Sequence, residues 1–207
     1  MPDDPDPTAW FDQLYRDAAT GRGTVPWDHV EPSALLTQWV EQQQLDGIGR
    51  SAVVVGCGLG RDAELIARLG FDTTAFDVSP TAIAGALERH PDSTVDYQVA
   101  DLRRLPDAWQ RRFDLVVESM TVQSLPIRLR DVAVRAIAEL VAPGGTLIVV
   151  AVRREEDMDV HGPPWPLSRS EIDAFAATGL VPVSVEDIPD ADDSRIRRWR
   201  AELRRDL

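Results

Sequence analysis

The sequence predicts an α/β fold: a doubly wound, mostly parallel sheet with helices on both faces. Between residues 51 and 152, short apolar runs alternate with amphipathic stretches, the rhythm of repeated βα units whose strands are covered on both sides. The first apolar run, Ala52 to Val55, breaks into Gly56-x-Gly58-x-Gly60 and passes straight into an amphipathic helix. Glycines there let the backbone turn tightly and approach a ligand at the carboxyl end of the sheet. With 207 residues, 43% of them hydrophobic, the chain has the size of one domain and the apolar content for a sizeable core.

Each element follows from local pattern. Residues 8–19 place Trp10, Phe11, Leu14 and Tyr15 on one side of a short helix that Gly21 and Gly23 end. Residues 24–32 form a loop, and Pro32-Ser33 opens a helix over 33–45. The core then reads as strand 52–56, helix 61–69, strand 73–76 and helix 80–89, the last with Ser79 as N-cap and Pro80 in its first turn. Strands 95–99 and 113–117, helix 128–141 and strand 145–152 complete it. Beyond a charged loop at 153–162 come Gly162-Pro163-Pro164-Trp165-Pro166, a helix over 169–177 capped by Ser168, and strand 181–187. After an acidic connection from Pro189 to Asp193, a last strand at about 196–204 interleaves Arg195, Arg197, Arg198, Arg200, Arg204 and Arg205 with Ile196, Trp199, Ala201 and Leu203. That interleaving predicts one solvated face rather than an RNA-binding patch.

Composition narrows the partners. A net charge of −13 argues against nucleic acid, whose phosphates need a basic surface, and favours a small substrate. The acidic, proline-rich start Met1-Pro-Asp-Asp-Pro-Asp-Pro is unlike a secretory leader, and no apolar run has membrane-spanning length, so a soluble cytoplasmic protein is expected. The single Cys57 excludes an intrachain disulfide and reads as a small residue in the glycine loop. All the basic residues are Arg, with neither Lys nor Asn present, which points to a GC-rich bacterial genome. No pair of His, Cys or carboxylate residues has metal-ligand spacing.

The glycine loop lacks both the sixth-position Gly of the dinucleotide fingerprint and the Gly-Lys-Ser/Thr of a phosphate loop. A ligand with a sugar and an amino-acid end fits it better. Thr73-Thr74-Ala75-Phe76-Asp77 reads as a strand ending in a carboxylate 17 residues after Gly60, placed to accept both hydroxyls of a ribose.

At this point the chain resembles the class I S-adenosylmethionine-dependent methyltransferases, over about residues 50–152. Val95 to Leu102 resembles the family's adenine-binding segment, with Asp101 placed for the exocyclic amine. Phe113 to Glu118 resembles its fourth strand, and Leu140 to Val150 its Pro-Gly-Gly turn and fifth strand. The resemblance implies a Rossmann-like, seven-stranded sheet with a reversed last strand, S-adenosyl-L-methionine as cofactor, S-adenosyl-L-homocysteine as product, and no metal. Cofactor-binding residues are then expected at Trp27, Gly56, Cys57, Gly58, Gly60, Asp62, Asp77, Val78, Asp101, Leu102 and Glu118.

Trp10, Tyr15, Pro26-Trp27-Asp28 and Glu31-Pro32 in the N-terminal part, with Gly162 to Ser168 and Glu171 later, resemble the thiopurine S-methyltransferase branch and its bacterial thiol, tellurite and halide relatives. This implies an N-terminal helical lid (1–45), a cofactor-binding core (50–152) and a substrate-side loop with C-terminal strands (153–207), all in one domain. The sequence departs from that branch where an Asp-Arg pair follows its fourth strand, since Glu118-Ser119 stand here.

Methyl transfer from a sulfonium is an in-line displacement that needs alignment and exclusion of water. A thiol, with a pKa near ~8.5, is a few per cent thiolate at neutral pH and dispenses with a strong base. A small-molecule thiol is the expected acceptor. Oxygen or nitrogen acceptors, a Rossmann-like oxidoreductase and a non-catalytic cofactor-binding module are the alternatives. Trp10, Tyr15, Ser119, Gln123, His161 and Trp165 are expected to bind substrate. His161 and Glu118 are the candidate catalytic groups, with His29 and Asp28 as further possible bases; for both histidines a surface loop position is the alternative, and for Glu118 a contact to the cofactor amine or a salt bridge. A monomer or homodimer is expected, without nucleic acid or membrane partners.

Overall fold

The structure, a computed structural model, describes residues 6–191 and 193–207. Residues 1–5 of the acidic start and Asp192 of the acidic connection lie outside the described residues. Helices α1 (Ala9–Ala19) and α2 (Ala34–Gln43) precede a core of β1 (Ser51–Val55), α3 (Arg61–Arg68), β2 (Asp72–Asp77), α4 (Pro80–Arg89) and β3 (Asp96–Val99). It continues with β4 (Phe113–Ser119), α5 (Arg130–Leu140), β5 (Val141–Val152), α6 (Arg169–Ala176), β6 (Leu180–Pro189) and β7 (Arg197–Arg205). The strands form one seven-stranded sheet in the order β3-β2-β1-β4-β5-β7-β6. β7 runs antiparallel to both of its neighbours, and the other pairs are parallel.

Alternate residues of each central strand feed opposite cores. Val53, Val55 and Val116 face α5 and α6, whereas Ala52, Val54, Leu115 and Val117 pack with α2, α3 and α4. Strands buried on both faces must be apolar throughout, which is why β1 reads Ala-Val-Val-Val and not as an alternation. Ser79 caps α4 by accepting the Ala82 amide at 3.0 Å, and Ser168 forms a capping box with Glu171 at the start of α6. Among the described residues no helix is long and apolar enough to cross a membrane.

Two details differ from the sequence-based reading. Pro143-Gly144-Gly145 is a bulge inside β5 rather than a turn before it: Val141 already pairs with Phe113, and the register resumes at Thr146 opposite Leu115. A Cβ on Gly145 would meet the Ala142 and Phe113 carbonyls at 2.9 Å, so only glycine fits there. The expected solvated face of the last strand is also covered, by α2, and β7 lies between β5 and β6 rather than at an edge. Trp199, Ala201 and Leu203 enter one core, while Arg200 and Glu202 are buried under α2. Arg200 donates to Glu186 at 2.8 Å and Gln42 at 3.1 Å, and Glu202 accepts the Trp39 indole N–H at 3.0 Å. Buried charges persist only when paired in this way.

Candidate active site

The carboxyl ends of β1, β2 and β4 open into a cavity of about 790 Å³. Its floor is the first part of the glycine loop, Gly56 to Leu59; Gly56, Gly58 and, just beyond the floor, Gly60 take left-handed φ values of 59°, 53° and 91°. A Cβ would stand 2.4 Å from Thr121 Oγ1 at Gly56, 2.8 Å from Tyr15 Oη at Gly58 and 2.3 Å from Tyr97 Oη at Gly60. Conformation and space both require glycine here. Asp77, at the end of β2, is 7% exposed, accepting the Gly58 amide through Oδ2 at 3.0 Å and the Ser79 amide through Oδ1 at 2.9 Å. Burial lifts its carboxyl above the ordinary range, against the pull of those amides. Burial also pushes the Cys57 thiol well up, so the residue is an uncharged filler of the loop and not a nucleophile.

The N-terminal segment closes over this floor through specific ties. Asp12 of α1 accepts from the Ser79 hydroxyl at 2.7 Å and the Thr81 amide at 3.1 Å, adding a second cap to α4. The Trp27 indole donates to Tyr15 Oη at 2.9 Å, and Trp10 stacks on Phe11 at 3.9 Å. Asp28 pairs with Arg89 at 2.9 Å and also with Arg61, and Arg89 holds its carboxyl below the usual range. Asp62 accepts the Ser33 amide at 2.8 Å, anchoring the far end of the loop to α3.

The other end of the cavity is shaped by the segment after β4, the Pro163-Pro164 wall and the β6–β7 hairpin. Met120 is held in the left-handed region at φ 66°, uncommon for a residue other than glycine and found where surrounding structure enforces it. Its sulfur lies 3.7 Å from Arg198 Nη1, and the Arg198 guanidinium pairs with Asp190.

Most residues singled out from sequence come together here. Trp10, Tyr15, Trp27, Asp62, Asp77 and Val78 line the cavity, as do Gly56, Cys57, Gly58, Asp101, Leu102, Ser119 and Gln123. Asp101 lines it with its carboxylate already engaged: burial opposes ionisation, but Arg103, at 2.6 to 2.9 Å, holds the carboxyl below its ordinary range.

Gly60, Glu118, His161 and Trp165 do not line the cavity. Gly60 instead N-caps α3 and packs against Tyr97. Glu118 is fully buried, and its Oε1 accepts the Thr121 and Val122 amides at 2.7 and 2.9 Å, so it makes neither a salt bridge nor a cavity contact. Burial pushes its carboxyl up to about 7. His161 is exposed, because the loop turns Pro163 and Pro164 to the cavity in its place. Trp165 is drawn off the cavity by its backbone, whose N–H donates to the Gln123 carbonyl at 2.7 Å and whose carbonyl accepts from Arg130. His29, one of the alternative bases, lines the cavity but is exposed. Sequence reasoning missed Leu129, Ala133, Arg198 and the Ile188 to Ala191 stretch, since nothing local marks a residue as facing a segment far along the chain.

The chain is similar to proteins of known activity. Residues 53–149 match the methyltransferase domain family. The chain is 27% identical over 168 residues to 2-heptyl-1-hydroxyquinolin-4(1H)-one methyltransferase of Mycobacteroides abscessus, spanning 78% of this chain and 72% of that one. It is 27% identical over 183 residues to thiocyanate methyltransferase 1 of Arabidopsis thaliana, spanning 84% and 79% respectively. The chain is a class I S-adenosylmethionine-dependent methyltransferase. Its fold is shared with a solved structure titled for the conversion of a disulfide bond into a thioacetal group during echinomycin biosynthesis, at a TM-score of 0.76 and 24% identity over 96% of this chain and 91% of that one.

The methyltransferase has a cradle that fits its cofactor. The glycine loop leaves room for backbone approach but not for a Cβ, and Asp77 brings a buried carboxylate to the same floor. Bound there, S-adenosylmethionine would supply an electrophilic methyl group. The methyltransferase itself contributes enclosure by Trp10, Tyr15 and Trp27, and alignment by loops tied at both ends.

Proposed function

We propose that this methyltransferase transfers the methyl group to a small apolar acceptor through sulfur, with Asp77 and the Gly56–Gly60 loop holding the donor's ribose and methionine end. The observation that carries the reading is the state of the cavity's acids. Asp28, Asp62, Asp77, Asp101 and Asp190 line it, and each is engaged by an arginine or a backbone amide. Of the remaining ionisable side chains that line it, burial holds Tyr15 and Cys57 in their uncharged forms, and His29 and Glu31 are exposed. An acceptor that ionises unaided suits such a cavity, and a thiol does so near neutral pH. The thiocyanate methyltransferase relative supports a sulfur nucleophile, and the lid (1–45), core (50–152) and substrate side (153–207) act as one unit in this reading.

A second reading, transfer to an oxygen or nitrogen of a heteroarene, is favoured by the hydroxyquinolone methyltransferase relative. Incubation with a panel of thiols, phenols and amines, followed by measurement of S-adenosylhomocysteine release, separates the two. Thiols are expected to turn over fastest; turnover confined to phenols or amines overturns the sulfur assignment.

A further inference from the structure

Gln123 lies on a single 3-10 turn (Val122–Ser124) just beyond β4 and is 4% exposed. Its side-chain Oε1 accepts the Val152 amide at 2.6 Å, and its backbone carbonyl accepts the Trp165 amide at 2.7 Å. A backbone amide can only donate, so Val152 fixes which way the carboxamide is turned. The oxygen faces β5, and the Nε2 amine is left for the cavity that Gln123 lines.

Among the described residues, the polar side chains that line the cavity at less than a tenth exposure are Thr8, Tyr15, Asp77 and Gln123, and Tyr15 Oη accepts the Trp27 indole N–H at 2.9 Å. Thr8 Oγ1 donates to Asp6 at 2.8 Å, and both Asp77 oxygens accept amides. The Gln123 amine alone in this set has no partner within the protein, and Leu125, Leu129, Ala133 and Val152 line the same cavity. Arg198, beside Met120, is already engaged by Asp190. A buried donor among apolar groups is unfavourable unless something accepts from it, and such a site rejects a ligand that lacks the accepting atom.

We propose that the Gln123 carboxamide N–H donates a hydrogen bond to the methyl acceptor, and that the site therefore selects acceptors carrying a hydrogen-bond-accepting ring atom beside the nucleophile. This rests on the sulfur reading above for the atom methylated, but not for the hydrogen bond. The second half of the reasoning is geometric: the 3-10 turn that carries Gln123 is pinned to β4 by Glu118 and to the Pro163-Pro164 wall through Trp165, so the donor is held in place before substrate arrives.

Quinoline-8-thiol and naphthalene-1-thiol differ by one ring nitrogen and test the assignment when their binding to the enzyme–S-adenosylhomocysteine complex is measured by calorimetry. The wild-type complex should bind quinoline-8-thiol tighter by about tenfold or more, the range set by one buried donor left unpaired. Gln123→Glu keeps an oxygen for the Val152 amide but removes the donor. It should abolish the preference while leaving S-adenosylhomocysteine affinity unchanged. Equal affinity for the two thiols, binding of neither, or a preference that survives in Gln123→Glu overturns the proposal. The wild-type comparison stands whatever the variant's stability. Methylation assays on the same pair keep the two ideas apart: preference without turnover sinks sulfur transfer and retains the donor, and turnover without preference does the reverse.

Discussion

The two ends of the cavity are built by different means. The end proposed for the donor is made by backbone: left-handed glycines and a buried carboxylate whose oxygens both take main-chain amides. Its parts come from neighbouring βα units, and Gly58 and Asp77 are 19 residues apart. The acceptor end is made by side chains from distant segments: Gln123 reaches Val152 across 29 residues, and Met120 meets Arg198 across 78. A backbone cradle whose glycines leave no room for a Cβ tolerates few substitutions. Side chains projecting from loops can be exchanged without disturbing the sheet, so acceptor choice is free to change while donor choice is not.

The largest effect should come from breaking the donor end. Asp77→Ala strands the buried Gly58 and Ser79 amides, and should lower unfolding stability by about 3–4 kcal/mol and S-adenosylhomocysteine affinity about ten- to hundredfold. Denaturant melts and calorimetry measure the two separately. Loss of stability with unchanged affinity in the folded fraction would leave Asp77 as a purely structural group.

The acceptor end responds instead to pH. Glu118 holds the Thr121 and Val122 amides, and burial raises its carboxyl from an ordinary 4.5 to about 7. The unfolded chain gives up this proton first, so the group's contribution to stability is full below about pH 4.5 and falls as pH rises to about 7, by about 3 kcal/mol in all. Glu118→Gln should flatten that part of the stability–pH curve. An unaltered slope in the variant assigns the dependence to another group.

The smallest effect should follow from loosening the lid that joins the two ends. Asp28→Ala removes partly exposed pairs with Arg61 and Arg89, worth at most about 1 kcal/mol together and screened by salt. A two- to fivefold rise in cofactor KM is expected from that loss, about 0.5–1 kcal/mol, and it should shrink at high ionic strength. A large, salt-independent rise would mean that Asp28 touches the ligand itself.

The same contrast explains what could be read in advance. The glycine loop, the strand ending in Asp77, the Ser79 cap and the capping box at Ser168 are short-range patterns, and each lies where the pattern puts it. Glu118 and the arginines of β7 carry ambiguous local signals. A carboxylate at a strand end serves a ligand, an ion pair or a backbone turn equally well, and here it holds the turn. An arginine every second residue reads as a wet face until β6 pairs outside β7 and α2 covers it. His161 and Trp165 were placed within a few residues of the cavity wall, but which residues of a proline-rich loop face inward depends on the backbone contacts of Trp165 with Gln123 and Arg130.

By itself the sequence determined the βα rhythm, the parallel core and the donor cradle, because these rest on propensity, periodicity and glycine φ, all properties of contiguous residues. Only the tertiary structure decided that β7 is buried on both faces, that Glu118 turns away from the cavity, and that Gln123 presents a lone donor to it. Those outcomes depend on which distant surfaces pack together and on the partners each buried polar group then finds, and no local window of the chain contains both halves of such a pair.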